Sequence, residues 1–345
     1  MDKKLNIGLI GLGRLGSVYA GYFAQRISGA RLAAIADANA AVAEAQAQKF
    51  GVSKRYEHYQ DLLADTEIDA VVIVTPTQTH GEVVMAAAER GKAIYCEKPM
   101  SLSLDEACAM QQAVERAGVF FHPAFTRRFD KGYVAAKRKI DEGVIGKPLV
   151  FKSSSRDPFR PSLEFLDPQK SGGIITDMGI HDLDVARWLM GEIKSVYSIG
   201  GAIAYPEMEP IGDQDNTITS INFESAALGT VDLSRSGIYG YDIRTEVLGS
   251  KGTLKIGYLR ETPLMVMTQE GITHDAVPYF MERFEGAYIA QLQDFVDRVR
   301  QDQPPSISVA DGVGALRACL AATLSLKEKR PITVQYEERE RPEPR

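Results

Sequence analysis

A doubly wound parallel α/β domain, followed by an α+β domain with a large, mostly antiparallel open sheet, is the architecture this 345-residue sequence predicts. Three observations predict it. Up to about residue 123, apolar runs of strand length alternate with segments of helical period. A glycine-rich turn follows the first of those runs directly. Beyond residue 195, strand-like runs succeed one another with only turn residues between them. Near-continuous apolar strands separated by helices make a parallel sheet covered on both faces, whereas strands in unbroken succession make an antiparallel one.

In chain order, the first domain offers strands at 5–10, 31–37, 70–75, 92–96 and 119–121. Helical periodicity falls between them at 15–25, 40–50, 61–63, 81–89 and 104–117. Ser103 and Glu106 form a capping box for the last of these helices, and Gly118 fits its stop. The second domain opens with a helix at 133–142, a strand at 149–154 and a helix at 177–190. Strands follow at 195–204, 216–223, 226–234, 241–248, 252–257 and 264–268, joined by turns such as Gly249-Ser-Lys-Gly252 and Gln269-Glu-Gly271. Two amphipathic helices at 284–300 and 311–327 complete it. The expected organisation is therefore a domain at 1–123, a second at 124–336, and a charged, proline-containing, solvated tail at 337–345.

Composition bounds the function. With 44% apolar and 25% charged residues, the chain is an ordinary globular sequence, which excludes wholesale disorder, collagen repeats and disulfide-stapled mini-folds. Forty Lys and Arg against 46 Asp and Glu give a net charge of −6, with no dense basic run, which argues against nucleic acid or an anionic membrane as partner. Cys96, Cys108 and Cys319 are odd in number and lack a Cys-x-x-Cys spacing, so a zinc site or disulfide framework is not expected, and a reducing cytoplasm is the expected home. No window has the run of apolar residues a membrane span needs. The apolar run behind Met1-Asp-Lys-Lys is too short for a signal sequence and reads as a buried strand.

Gly11-Leu-Gly13-Arg-Leu-Gly16 follows a strand and opens a helix, the setting in which such a loop cradles a pyrophosphate. The first glycine permits the tight turn, the second lets backbone approach the phosphates, and the third lets helix pack closely on strand. The helix N-terminus adds free N–H groups and a favourable dipole. Asp37, twenty-one residues after Gly16, ends the second strand and suits the ribose hydroxyls while repelling a 2′-phosphate. Ala38, Asn39 and Ala40 offer no arginine for such a phosphate, so NAD is favoured over NADP. Arg14 within the loop stays open as a compensating charge, and a capping role for Asp37 is its alternative reading.

Three features carry candidate chemistry. Glu97-Lys98-Pro99 lies at the carboxyl end of a parallel strand, where ligands of open sheets bind, and the Lys98 ammonium suits polarisation of a substrate oxygen. Asp177 and His181, four apart on one expected helix, share a face. A histidine there can accept the proton of an alcohol as hydride departs, with the carboxylate orienting the ring. The alternatives are a solvated lysine and a helix-surface pair. Asp184 beside them raises a metal reading, but a mononuclear site wants a further ligand at recognisable spacing and none is present, so no metal is expected. Of the other histidines, His80 in Thr75-Pro-Thr-Gln-Thr-His80 alone falls at a strand end where a cofactor would lie.

Taken together, Gly11-Leu-Gly-Arg-Leu-Gly16, Thr75-Pro-Thr-Gln-Thr-His80, Glu97-Lys-Pro99 and Gly173-Ile-Ile-Thr-Asp-Met-Gly-Ile-His-Asp182 make the chain resemble the glucose–fructose oxidoreductase/inositol dehydrogenase (Gfo/Idh/MocA) family over nearly its whole length. Arg127-Arg-Phe-Asp-Lys-Gly-Tyr133, Ser155-Arg-Asp-Pro158 and Tyr239-Gly-Tyr-Asp242 are similar to the inositol 2-dehydrogenases within it. The resemblance implies a Rossmann NAD-binding domain and a catalytic set of Lys98, Asp177 and His181, with His181 as general base. Cofactor contacts are implied at Gly11, Gly13, Arg14, Leu15, Asp37, Thr75, Pro76, Thr77, His80, Glu97 and Lys98. Polyol contacts are implied at Arg127 (or its neighbour Arg128), Arg156, Asp157 and Tyr241. It also implies subunit contacts through the second-domain sheet, usually in a homotetramer. The implied reaction is NAD-dependent oxidation of a secondary hydroxyl of a cyclic polyol, myo- or scyllo-inositol, to an inosose. The alternatives on the same scaffold are a pyranose dehydrogenase, a glycosidase that uses NAD transiently, and a non-catalytic NAD sensor.

Overall fold

The chain divides into two units, the first comprising residues up to Phe125 together with Tyr288–Val313, the second Thr126–Ala287 and the residues from Gly314. The computed structural model describes residues 4–337. The expected tail therefore lies, from residue 338, outside the described residues.

In the first unit the apolar runs become strands because burial on both faces satisfies them. β1 (Leu5–Ile10), α1 (Arg14–Gln25), β2 (Ala30–Ala36), α2 (Ala40–Phe50), β3 (Lys54–Tyr56), α3 (Tyr59–Ala64), β4 (Ala70–Ile73), α4 (His80–Glu89), β5 (Ala93–Cys96), α5 (Leu104–Ala117) and β6 (Phe121–Pro123) alternate along the chain. The six strands pair in parallel in the order β3-β2-β1-β4-β5-β6. That order reverses at β1 and β4, and a doubly wound sheet binds its ligand beyond the carboxyl ends of the strands at such a reversal. Every residue of β4 is buried, as are Ile7, Leu9 and Ile10 of β1.

Two elements differ from the sequence reading. β3, Lys-Arg-Tyr, carries no apolar run because it is an edge strand, paired only with β2. β6 begins at Phe121 because the chain is still leaving α5 before it. Gly118 takes the left-handed conformation, and Val119 N–H still bonds the Val114 carbonyl.

By spatial contact, residues 288–313 group with the first unit. Aromatic packing is the reason. In α11 (Phe280–Arg300), the Tyr288 ring lies 6.0 Å from Tyr19, and Phe295 lies 5.7 Å from both Tyr95 and Phe120. The Gln291 amide donates to the Tyr95 hydroxyl.

The second unit contains α6 (Lys131–Asp141), β7 (Pro148–Arg156), α7 (Leu163–Leu166), α8 (Pro168–Ser171), α9 (Gly173–Asp177), α10 (Ile180–Met190), β8 (Ile193–Gly201), β9 (Asn216–Phe223), β10 (Leu228–Ser234), β11 (Asp242–Gly249) and β12 (Thr253–Ile256). The small hairpin of β13 (Val266–Thr268) and β14 (Gly271–Thr273) follows, then the first turns of α11, most of α12 (Val309–Glu328) and β15 (Ile332–Thr333). Seven strands form one sheet in the order β12-β11-β7-β10-β9-β8-β15, antiparallel except for β7 against β10.

Strand alternation gives the sheet two unlike faces. In β9, Thr217, Thr219, Ile221 and Phe223 are buried while the residues between them are not. Helix α10 packs against β7 and β10, and α6 against β12. The other face carries Tyr197, Ile199, Ile218, Leu228 and Leu248 as exposed side chains. α12 is long and apolar enough, by length and composition, to cross a membrane. Half of that apolar stretch is buried inside the structure, with Leu316, Cys319 and Ala322 fully enclosed.

The Phe295 contacts predict that Phe295→Ala costs about 3–5 kcal/mol, the scale of truncating a buried aromatic ring. Urea unfolding measures this. A loss under about 1 kcal/mol would mean that α11 does not anchor the first unit.

Candidate functional site

In the first unit the glycine-rich turn is dictated by close backbone approach. Gly11 has φ +91°, and a Cβ on it would stand 2.6 Å from the Val74 carbonyl oxygen. A Cβ on Gly16 would stand 2.0 Å from the Gly11 carbonyl oxygen, so the third glycine lets the helix sit on its own loop. Gly13 is different, since a Cβ there would meet nothing within 4 Å. It is the N-cap of α1 and no side chain caps it, which leaves the helix's first N–H groups for a ligand. Leu15 is half-buried and Arg14, the first helical residue, is exposed. These residues fit a dinucleotide pyrophosphate.

Asp37 is tied to that turn. Its Oδ2 accepts from Leu12 N–H at 2.7 Å and its Oδ1 from Asn39 N–H at 2.8 Å. The cap of α2 is Asn39, whose side chain accepts from Ala41 and Val42, so the capping alternative for Asp37 falls to its neighbour. A carboxylate has about four lone-pair sites, and two backbone bonds leave capacity for ribose hydroxyls.

The Thr75–His80 loop and the Glu97-Lys98-Pro99 segment are braced by buried side chains. Thr79 donates its hydroxyl to the Thr75 hydroxyl or the Pro76 carbonyl, each 2.8 Å away. His80 is 1% exposed, with Nδ1 2.9 Å from the Pro99 carbonyl and Nε2 2.9 Å from the Thr75 carbonyl. Burial, partly offset by the two carbonyls, holds its imidazole below the ordinary value. Glu97 is also buried: its Oε1 accepts from the Tyr19 hydroxyl at 2.5 Å and its Oε2 from Lys98 N–H at 3.2 Å. Burial pushes the Glu97 carboxyl up, against the opposing pull of Tyr19 and Lys98. The sequence reading placed both residues against the cofactor. The structure spends their polar atoms inside the unit, holding the loops that carry Thr75, Pro76, Thr77 and Lys98. Lys98 itself is half-exposed between buried neighbours on both sides.

In the second unit the expected single helix at 177–190 is two. α9 ends at Asp177, and α10 begins at Ile180. Gly179 N–H reaches back five residues to the Ile174 carbonyl, a widened turn of the kind that recurs at functional sites. A Cβ on Gly179 would meet the Ile175 carbonyl oxygen and the Leu233 side chain, both at 2.7 Å, so glycine is required there. Asp177 and His181 thus flank a distorted turn rather than a regular one. Both are half-exposed amid buried neighbours.

Behind Asp177 stands a residue that the sequence reading missed. Arg235 is 1% exposed, and its Nη2 donates to Asp177 Oδ2 at 3.0 Å. Its Nη1 lies 4.0 Å from Asp157 Oδ2. Arg235 belongs to no motif; a lone cation just after an alternating strand was its only signal.

Of the two candidate arginines, Arg127 is buried and Arg128 is half-buried. Arg127 donates to Asp182 Oδ1 at 2.6 Å and to the Ser155 hydroxyl at 2.9 Å, and Ser153 completes the shell of the fully buried Asp182. Arg128 grips Asp184 through Nε at 3.0 Å and Nη2 at 2.6 Å. Asp184 therefore serves an arginine, and among the described residues no three metal-ligating groups converge.

Arg156 lies on a different face of the sheet. The pleat sends Ser153 and Ser155 to the helix-covered side and Arg156 to the other, where it pairs with Asp232. The structure therefore does not bring Arg156 to the face that carries Arg127. Tyr241 is nearly buried, its ring edge-on to Tyr279 at 5.8 Å and Phe284 at 6.2 Å.

Residues 5–125 match the family model described as oxidoreductase family, NAD-binding Rossmann fold. Residues 137–334 match that described as oxidoreductase family, C-terminal alpha/beta domain. The scyllo-inositol 2-dehydrogenase (NAD(+)) of Bacillus subtilis is 41% identical over 96% of this chain and 97% of that protein. The myo-inositol 2-dehydrogenase of Thermotoga maritima is 38% identical over 96% and 99%. A crystal structure of scyllo-inositol dehydrogenase from Lactobacillus casei with bound NAD(H) and scyllo-inositol superimposes with a TM-score of 0.91 at 32% identity, covering 96% of this chain and 99% of that one.

The buried His80 ring predicts a pH dependence of stability. Its folded pKa is lowered, so as pH falls the unfolded chain takes up the proton first. The stability it contributes is present above about pH 6.5 and is lost below it, at up to about 1.4 kcal/mol per pH unit. Urea midpoints measured near pH 7.5, 6.5 and 5.5 should fall more steeply for the wild type than for His80→Gln.

Proposed function

Because the chain belongs to the glucose–fructose oxidoreductase/inositol dehydrogenase family, we propose that it oxidises a secondary hydroxyl of a cyclic polyol, scyllo- or myo-inositol, to an inosose, with NAD as acceptor. The observation that carries this reading is the likeness to named inositol 2-dehydrogenases over 96% of the chain. The site geometry supports it. The Lys98 side chain is partly exposed among buried neighbours, as are those of Asp177 and His181, in a chain whose glycine loop fits a pyrophosphate.

Gly11, Gly13, the α1 N-terminus and Asp37 would hold the dinucleotide, and the Asp37 carboxylate would repel a 2′-phosphate. NAD, when bound, supplies the hydride acceptor. The chain's own residues handle the proton and the charge. His181 accepts the hydroxyl proton at an imidazole nitrogen, and Asp177 orients the ring and stabilises its charged form. The Lys98 ammonium stabilises the developing alkoxide. Asp157, Tyr241 and Arg127 are the polyol contacts in this reading. Arg127 acts with one side of its guanidinium already fixed on Asp182, while Arg156 on the opposite sheet face is left out.

The exposed apolar side chains of the sheet, Tyr197, Ile199, Ile218, Leu228 and Leu248, support assembly through that face, as a homotetramer. Cys96, Cys108 and Cys319, none of them joined in a disulfide, fit a cytoplasmic location.

NADH formation with NAD or NADP against inositol isomers, D-glucose, L-glucose and D-xylose tests the reading. Turnover on an inositol with NAD is expected. Turnover on a pyranose alone would move the substrate and keep the mechanism. Sugar release from glycosides without net NADH would mark a hydrolase, and silence despite NAD binding would mark a sensor. Turnover should fall in acid as His181 protonates. Lys98→Ala and His181→Ala should each lower kcat by about 10² or more, the scale of one transition-state contact. Near-normal turnover in both would overturn the mechanism.

A further inference from the structure

We propose that Arg235 is a positioning residue for the alcohol-oxidising site: its buried guanidinium fixes the Asp177 carboxylate and so sets the orientation in which that carboxylate serves His181. The inference rests on the reading of Asp177 and His181 given above.

Four separate segments of the second unit converge here. Arg235 follows β10, Asp157 follows β7, Asp177 ends α9, and Asp213 precedes β9. The Arg235 main chain is pinned by its own N–H, which donates to the Asp215 carbonyl at 2.8 Å. The guanidinium is 1% exposed, whereas the side chains of Asp177 and Asp157 are 19% and 15% exposed. The cation is thus held inside, and the carboxylates it attracts reach the surface of the unit. A purely structural arginine needs only a buried partner, such as Asp182 is for Arg127. Arg235 is hydrogen-bonded to a carboxylate that is partly exposed.

Asp213 acts on the other end of the same short helix. It is 2% exposed, and its Oδ1 accepts from Ile174 N–H at 2.9 Å in the first turn of α9, whose last residue is Asp177. Its Oδ2 and the Arg235 Nε are both buried without a hydrogen-bond partner. Burying such atoms is costly. The cluster therefore holds α9 at both ends although its own hydrogen bonding is incomplete.

The charged groups facing Arg235 are Asp177, Asp157 and Asp213, each of which raises its proton affinity, while burial opposes them. Three carboxylates and one guanidinium leave the cluster net negative. That favours the positive ring His181 acquires when it takes the proton. Arg235 keeps the proton from settling on Asp177 instead. Removing the cation raises the proton affinity of Asp177 and of His181 alike, and both changes move the acid limb of activity to higher pH.

The test compares the full-length wild type with Arg235→Gln and Arg235→Lys. The readouts are kcat, KM for inositol, NADH affinity by fluorescence and the pH profile of kcat. In Arg235→Gln, kcat should fall by about 10- to 100-fold, a scale set by lost positioning, with NADH affinity unchanged. Its acid limb should move up by about half a pH unit or more. Arg235→Lys keeps the charge and loses the planar fork, so it should restore the acid limb without restoring kcat. A structural role alone would lower the fraction of active protein and leave the acid limb in place, and that outcome would overturn the inference. If Arg235→Gln does not fold, Arg235→Lys decides: wild-type kcat in that variant overturns the inference. A wild type that oxidises no polyol removes the underlying reading as well. A wild type active on inositol beside a fully active Arg235→Gln removes this inference alone.

Discussion

A guanidinium taken out of water has to meet a carboxylate, because a buried unpaired charge costs several kcal/mol. The second unit is arranged around that requirement. Arg127 meets Asp182, Arg128 meets Asp184, Arg187 meets Glu192, Arg235 meets Asp177 and Arg283 meets Asp130. Four of these pairs join residues more than fifty positions apart, so each sets one segment against another. Asp182 shows the consequence. Its carboxylate accepts from Arg127, Ser153 and Ser155 together, which fixes α10 against β7 in one register. Such pairs are not needed for net stability, since apolar residues of like volume often do as well. What they specify is which side chains face which.

In the first unit the constraint is different in kind. There, backbone has to approach backbone, and only glycine permits it. Gly11 against Val74 and Gly16 against Gly11 bring the turn after β1 close to the end of β4. Asp37 then holds Leu12 from the end of β2. His80 ties Thr75 to Pro99, and Glu97 ties Tyr19 to Lys98 N–H. The loops at the carboxyl ends of β1, β2, β4 and β5 are thus joined through side chains that are mostly buried. A lysine on a loop so supported loses little of its orientation to thermal motion, which is what positioning a charge against a developing alkoxide requires.

Much of this was legible in the sequence, for reasons that particular residues make clear. The β1–turn–α1 segment was readable because three glycines at fixed offsets meet a steric demand that nothing else satisfies. β9 was readable over 216–223 because one buried face imposes strict alternation. β3 was not, because an edge strand paired on one side needs no apolar run. The break at Met178–Gly179 was hidden because helical periodicity continues through it, while the demand on Gly179 comes from Leu233, more than fifty residues away. The face that Arg156 takes was not legible, because motif resemblance says nothing of the pleat, and one residue's shift along β7 reverses the face. Arg235 carried only the signal of a lone cation after an alternating strand, since its partners come from three other segments.

The buried polar residues and the open ones consequently do different things. His80, Glu97 and Asp182 are buried, and their hydrogen bonds brace the segments that carry the candidate site. Lys98, Asp177 and His181 share the opposite pattern, a polar side chain half-exposed within a run of buried neighbours. Partial exposure leaves such a side chain able to reach a ligand, which is what the roles proposed for these three residues require. Arg235 falls between the two classes: enclosed like a brace, yet bonded to a carboxylate that is partly exposed. In the role proposed for it, Arg235 would fix the orientation of Asp177 through the fold before any ligand arrives, which is how a preorganised site avoids reorganising during a reaction.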